Sequence, residues 1–446
     1  MPACSPDSLQ SSISNMPTPS LILVPARFKT GKLYTPVATT TGALELGASG
    51  DFNVTRATTA TRVNASGLIE SVASGIPRLD YFLSSCPALL VEPSAQNDIR
   101  YSEDTATNWV LGANLSGTYE NVIGVSGNNL EVTVSGSGIG ANAGSLRMIS
   151  INTTLASGST YTISFLLKKT ASHTIGGYHL LVNTASGGLS IGGGFNVSGS
   201  FSSGSIFNQL PTTNRIRRVE QWGTDVYRCS ETFTMTASGT AANIYLGPTV
   251  STTSNTNPAI GERIAFAAPQ LELGAIPTSF IPTTTAAVTR NADVINLSGA
   301  VSGCIGQTEG TIYVDMIASP SGTGSNLFLI GDGTASNFMF IGKTNTKLDS
   351  FARVSGTTVL SNSTFNLTGN AIKVALAYKS GNNALYINGN LIASGTTAFT
   401  LTSGLTTIGF TSAFNFAASN AINKYNAVAL YTTRLTNQEL AALTTL

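Results

Sequence analysis

The chain has 446 residues, 42% of them apolar and only 10% charged, and its 23 basic and 22 acidic side chains leave a net charge of +1. That length exceeds one ordinary core and suggests about three domains at roughly 150 residues each. The balanced charge, with no Lys/Arg stripe, argues against a nucleic-acid partner. A charged fraction far below the usual ~25% leaves Ser, Thr, Asn and Gly to make the surface.

Residues 1–20 have neither a basic start nor an apolar stretch, so they read as a polar arm that orders on docking rather than as a secretory signal. Leu21-Ile22-Leu23-Val24 stops at Pro25 and is too short to span a bilayer, so no membrane insertion is expected. Short strand-like pieces follow to about residue 95: Thr61-Arg62-Val63, a turn at Asn64-Ala65-Ser66-Gly67, Leu68 to Val72, and Leu89-Leu90-Val91-Glu92 ended by Pro93. Between 96 and 290, Tyr161, Ile163, Phe165 and Leu167 alternate with Thr162, Ser164, Leu166 and Lys168, the period of a half-buried strand. Thr232 to Met235, Asn243 to Leu246, Ile264 to Phe266 and Leu271 to Leu273 repeat the theme between turn residues, which suggests a sandwich or jelly roll. Arg215, Arg217 and Arg218 read as a solvated strand edge.

After a connector near Thr283-Thr284-Thr285, a new set of strands begins. In it Ile372, Val374, Leu376 and Tyr378 alternate with Lys373, Ala375, Ala377 and Lys379. Asn388-Gly389 predicts a hairpin turn, because both residues tolerate positive φ. Thr436-Asn437-Gln438-Glu439 is a capping box that opens one short helix, with Leu440 and Leu443 on a shared face, expected to lie as a lid on the last sandwich. The expected fold is therefore all-β: an N-terminal attachment region over 1–95, β-sandwich (jelly-roll) domains over 96–295 and 296–446, and one C-terminal helix.

Cys4, Cys86, Cys229 and Cys304 stand apart, without a CxxC pair, and His173 and His179 are the only imidazoles, so neither a zinc site nor a disulfide framework is expected. Cys86 and Cys229 read as small buried hydrophobes. Neither histidine lies in a metal-binding motif such as HExxH, and no E-x-D pair sets two carboxylates on one strand face, so no catalytic residues and no cofactor are assigned. Candidate glycan contacts are Trp109, Asp332 and Asn337; Trp222 reads as core. Asp332, in Ile330-Gly331-Asp332-Gly333, is also a calcium candidate, although one carboxylate is few for an ion that takes six to eight oxygens.

The stretch 51–93 resembles the leader of many bacteriophage fibre and virion proteins. Arg56, Ala60, Thr61, Asn64, Gly67, Pro77, Arg78, Asp80, Tyr81, Glu92 and Pro93 carry the match, and the family's following Arg-Thr-Asn is Ala95-Gln96-Asn97 here, without the arginine. Tyr161 to Phe165, Trp222 to Cys229, Ala268-Pro269-Gln270-Leu271-Glu272-Leu273-Gly274, Thr278 to Thr283 and Thr289-Arg290-Asn291-Ala292-Asp293 resemble the carbohydrate-binding-module-like jelly roll of the same proteins. Gly310-Thr311, Leu385 to Gly389, Tyr431, Arg434, Leu435 and Glu439 are similar to a concanavalin A-like (laminin-G-like) sandwich. The resemblance implies a virion surface protein released by lysis, joined to other virion proteins through its N-terminal region. It further implies a homo-oligomer, a trimer first, that contacts host glycans. The alternatives it leaves are a polysaccharide-degrading tail-spike-type enzyme and a scaffold without ligand.

Overall fold

The computed structural model describes residues 17–25, 28–33, 36–38, 44–46, 51–82, 84–104, 109–120, 122, 125, 129–136, 146–169, 177–184, 187–189, 212–223, 225–249, 259–298, 303–318, 325–344, 346–367, 371–401, 403–410 and 422–446. They form antiparallel sheets and one short helix, Asn437–Thr444, so the chain is all-β as expected. No helix among the described residues is long and apolar enough to cross a membrane.

Two compact units replace the expected three segments. Unit 1 takes the described residues of Met1–Ser66, Ser71–Ser94 and Arg290–Leu446; unit 2 takes Gly67–Glu70 and Ala95–Thr289. The breaks lie close to the expected boundaries, but most of the described residues of 1–95 share a unit with the C-terminal third. The reason is strand pairing. Leu21–Leu23, fully buried, pairs with Asn423–Tyr431 (Leu21 opposite Leu430), and Phe52–Thr55 pairs with Val294–Ser298 (Val54 opposite Ile295). Ala88–Val91 also joins Asn423–Tyr431.

Unit 1 is a sandwich of two antiparallel sheets. At the centre of one lie Ala371–Lys379, Glu309–Ala318 and Asn423–Tyr431; the other runs from Phe28–Lys29 through Lys32–Leu33, Phe52–Thr55, Val294–Ser298, Thr407–Phe410, Ser325–Gly331, Phe338–Thr344 and Lys347–Val354 to Thr357–Asn366. Alternation sends Ile312, Val314, Val374 and Leu376 from the first, and Phe52, Ile330, Met339, Ile341 and Ile408 from the second, into one core. On the outer face of the first sheet, Ala375, Ala377 and Ala384 leave room for the helix, whose Leu440 and Leu443 pack there with Tyr313, Tyr386 and Tyr431. Both halves of the capping box form. Asn388 and Gly389, at φ 49° and 81°, make the predicted hairpin turn.

The markers of the C-terminal resemblance have local reasons. A Cβ on Gly310 would lie 2.4 Å from Tyr378 Oη, which donates to Gly306 O at 2.7 Å. Thr311 Oγ1 donates to Thr433 O and accepts from Leu435 N, tying this strand to the approach of the helix.

Unit 2 is also a two-sheet sandwich, and Trp109, Val132, Tyr161, Ile163, Phe165, Phe233, Ile244 and Phe266 share its core. Strand Thr160–Lys169 is buried on both faces rather than half-buried, because 278–282 crosses the outer side of its sheet. Gln270 Oε1 accepts from Ile281 N, Glu272 accepts from Thr278 N and Oγ1, and Asn97 Nδ2 donates to Pro269 O and Ile281 O. The jelly-roll motif thus encodes the closure of one sheet face. Arg217 and Arg218 lie on the edge strand Thr212–Gly223, where Arg217 Nε donates to Glu231 at 3.0 Å.

Cys229 is buried and free as expected, and burial pushes its thiol pKa up. Cys86 departs from expectation: it is half-buried and disulfide-bonded, its partner lying outside the described residues. Cys304 is buried and free, its pKa pushed by burial up to about 11.

Candidate functional site

Of the three candidate glycan residues, the structure brings two together and separates the third. Trp109 sits in the core of unit 2, 3% exposed, with its indole N–H unpartnered among the described residues. It offers no face to a ligand, which corrects the expectation of a sugar platform: indole area is stabilised most by leaving water altogether. Trp222 is half-buried rather than fully core, packed beside Leu166, Val226 and Phe280, with the Arg228 guanidinium 5.3 Å over its ring. His173 lies outside the described residues, and for His179 only the backbone is described.

Asp332 and Asn337 face each other across the loop joining Ser325–Gly331 to Phe338–Thr344. Asp332 Oδ1 accepts from Thr334 N at 2.9 Å and Thr334 Oγ1 at 2.6 Å; Oδ2 accepts from Asn337 Nδ2 at 2.9 Å and Ser403 Oγ at 2.5 Å. Burial alone would raise this carboxyl's pKa, but the donors from Ser403, Thr334 and Asn337 outweigh it and hold the group down to about 2. Asn337, 4% exposed, also donates to Ser403 Oγ and accepts from Ser355 N at 2.7 Å. Four donors fill the roughly four lone-pair sites of a carboxylate. A calcium ion or sugar hydroxyl would have to displace loop donors at Asp332, and no group of three or more His, Cys, Asp or Glu gathers as a metal site among the described residues. The pair organises the loop, which is a change from the ligand role expected of it.

What that loop supports lies beside it. Met339 and Ile341 point into the core, so Phe338 and Phe340 occupy the opposite face of the sheet, where Phe351 stands across from Phe340 in register. The three ring centroids are 5.6 to 5.9 Å apart in every pairing, and their planes differ by only 10° to 17°. A column of three rings would place its outer members about twice as far apart as its neighbours. These rings instead make a compact facet with aligned planes. Phe338 is buried, while Phe340 and Phe351 are half-exposed. Gly331, opposite Phe338, is required by space: a Cβ there would lie 3.0 Å from Asn337 O and 3.3 Å from Phe338 Cβ.

Polar groups ring the facet. Asp349 and Arg353 flank Phe351 on its strand at two-residue spacing and share its face, and Ser361 and Thr358 stand opposite Phe351 and Arg353 on the exposed edge strand. Arg353 Nε donates to Gly356 O at 3.1 Å and Nη1 to Ala335 O at 3.4 Å, joining the facet to the Asp332 loop. Ser355 and Gly356, at φ 49° and 76°, make the tight turn that places Ser355 N on Asn337. Sequence reasoning missed the three phenylalanines. The Phe-x-Phe spacing at 338 and 340 was a readable signal, but the partner at 351 depends on strand register.

Fold and facet together define an all-β protein of two sandwich units, one carrying a half-exposed aromatic face. No family model matches the chain, and no curated protein does. Among solved structures it is similar to the CBM40 of the Ruminococcus gnavus IT-sialidase, at 19% identity over 31% of this chain and 84% of that one, with a TM-score of 0.28. It is also similar to a leech intramolecular trans-sialidase complexed with 2,7-anhydro-Neu5Ac, at 20% identity over 33% of this chain and 26% of that one, TM-score 0.29. A third is the binding domain of Paraclostridial Mosquitocidal Protein 1, at 13% identity over 34% of this chain and 43% of that one, TM-score 0.27. At such scores these likenesses assign neither ligand nor activity here.

Proposed function

We propose that this chain is a bacteriophage virion surface protein that binds host glycan without cleaving it, through the aromatic facet of unit 1. The observation that carries the glycan reading is the facet itself. A pyranose presents an apolar C–H face and equatorial hydroxyls; two half-exposed rings with aligned planes meet the first, and Asp349, Arg353, Ser361 and Thr358 meet the second. A neutral or weakly charged sugar suits a rim with one acid and one base. The resemblance of 51–93 to virion leaders supports the location, with a homo-oligomer, a trimer first, as the assembled form.

The test pairs wild type with Phe340→Ala/Phe351→Ala on an immobilised glycan panel. Binding by wild type that weakens at least about tenfold in the double variant supports the reading, a loss of roughly 1.4 kcal/mol. Wild type that binds no glycan, or a double variant that binds equally, removes it. Shortened polysaccharide after incubation would replace binding by cleavage, and absence of the chain from purified particles by mass spectrometry would remove the virion assignment.

A further inference from the structure

Three of the residues that carry the leader resemblance, Arg56, Arg78 and Glu92, meet Arg290 and Asp293 in one buried cluster inside unit 1. Arg78 Nη1 reaches Glu92 Oε2 at 2.6 Å and its Nη2 pairs with Asp293 Oδ2; Arg56 Nη1 reaches Asp293 Oδ1 at 2.9 Å; Arg290 Nη1 reaches Glu92 Oε2 at 2.5 Å. Every one of these side chains is at most 2% exposed. Burial opposes the charge on Arg78, and the carboxylates of Asp293 and Glu92 more than offset it, so its pKa is raised.

The position of the cluster in the chain is what matters. Apart from the four residues Gly67–Glu70, which also belong to unit 2, the chain leaves unit 1 after Ser94 and returns at Arg290. Departing and returning segments are stitched residue by residue: Glu92 N donates to Asp293 Oδ2 at 3.0 Å, Asp293 N to Glu92 O at 3.0 Å, Ser94 Oγ to Arg290 O at 3.1 Å, and Arg290 Nη2 to Pro93 O. Arg56 and Arg78 anchor that stitch to two further segments of the same unit. Backbone carbonyls hold Arg56 as well: its Nε donates to Thr58 O at 3.0 Å and its Nη2 to Ala73 O at 2.7 Å.

We infer that Arg56, Arg78, Glu92, Arg290 and Asp293 form a clasp that closes the insertion point of unit 1, and that unit 2 is a cassette whose folding unit 1 does not need. Closing a long loop costs entropy that rises with its length. A clasp made wholly from unit 1 residues meets that cost locally, so the unit 1 strands stay paired whatever Ala95–Thr289 does. The arrangement lets unit 2 vary in sequence or be exchanged while unit 1 is kept.

Hydrogen exchange followed by mass spectrometry on the full chain tests this. Phe233, fully buried in the unit 2 core, is changed to Ala and the protein is warmed until strand Thr160–Lys169 loses protection. Strands Glu309–Ala318 and Asn423–Tyr431 of unit 1 then keep their protection within about threefold of wild type. Their loss at the same temperature overturns the cassette. In the second arm, Asp293→Asn speeds exchange at the Glu92 amide by more than about tenfold and leaves Thr160–Lys169 unchanged. An unchanged Glu92 amide, or equal loss in unit 2, overturns the clasp. If Asp293→Asn does not fold, Arg56→Lys, which touches one carboxylate oxygen, reads the same amide with a smaller change in the same direction.

Discussion

Asp293 and Asp332 are both carboxylates of unit 1 held by several hydrogen-bond donors, yet they stabilise different things. Asp293 is 2% exposed, and its donors are the guanidiniums of Arg56 and Arg78 and the Glu92 amide, 237, 215 and 201 residues away. Asp332 is half-exposed, and its donors are two residues away at Thr334, five at Asn337 and 71 at Ser403. The first carboxylate joins distant parts of the chain, out of water, against full charges. The second shapes one loop in partial contact with water, against neutral donors. Burial and partner charge, rather than the number of bonds, decide what each is worth, because an ion left unpaired in the interior keeps its whole desolvation penalty.

The largest expected effect breaks the buried side of that contrast. Asp293→Ala strands two arginines without their shared carboxylate and should cost unit 1 about 3–5 kcal/mol. Urea melts followed by a unit 1 probe measure it. A loss under about 1 kcal/mol would place Asp293 with surface pairs instead.

The contrast also explains what the sequence did and did not disclose. The leader residues Arg56, Arg78 and Glu92 were visible as a resemblance, and so were Arg290 and Asp293, but nothing local says that they meet. Ion pairing across two hundred residues leaves no periodicity. Strands, by contrast, announce themselves locally, as Ile372 to Tyr378 do through alternation, and so do turns and caps such as Asn388-Gly389 and Thr436 to Glu439. Asp332 and Asn337 were picked out for their residue types; their proximity follows from a short loop, but their saturation by Ser403 and Ser355 does not. Trp109 was misread because a lone indole at a strand start looks the same whether its sheet turns it inward or outward. Phe351 belongs to the facet only through its register with Phe340.

A second effect, about 2 kcal/mol, comes from a buried charge of the opposite sign. Lys343 is 2% exposed on the core side of strand Phe338–Thr344, and burial lowers its pKa to about 8. Its folded pKa lies below the unfolded value of 10.5, so the unfolded chain holds a proton that the fold releases between about pH 8 and 10.5, and stability contributed by this site rises with pH across that window. Lys343→Met, which keeps the apolar stem, should therefore stabilise unit 1 by about 2 kcal/mol at pH 7 and by progressively less toward pH 10. Thermal melts of both proteins at pH 7, 8.5 and 10 check it; a variant that is less stable at pH 7 would mean that the ammonium's contacts outweigh its desolvation.

The smallest effect belongs to Asp332 and runs the other way on the pH axis. Its folded pKa of about 2 lies below the ordinary carboxyl value of 3.8, so the stabilisation is fully present above about pH 4 and is lost as pH falls toward 2. Because the group is partly exposed and its donors are neutral, the amount is about 1 kcal/mol. Asp332→Asn keeps the shape but turns one acceptor oxygen into a donor facing Thr334 or Ser403, and its stability should lack the wild-type decline between pH 4 and 2. If wild type and variant decline in parallel over that range, the loop does not draw its order from the Asp332 charge. If the variant also releases Asn337, glycan binding should weaken with it, since Asn337 holds the Ser355 turn that sets Arg353 beside the rings.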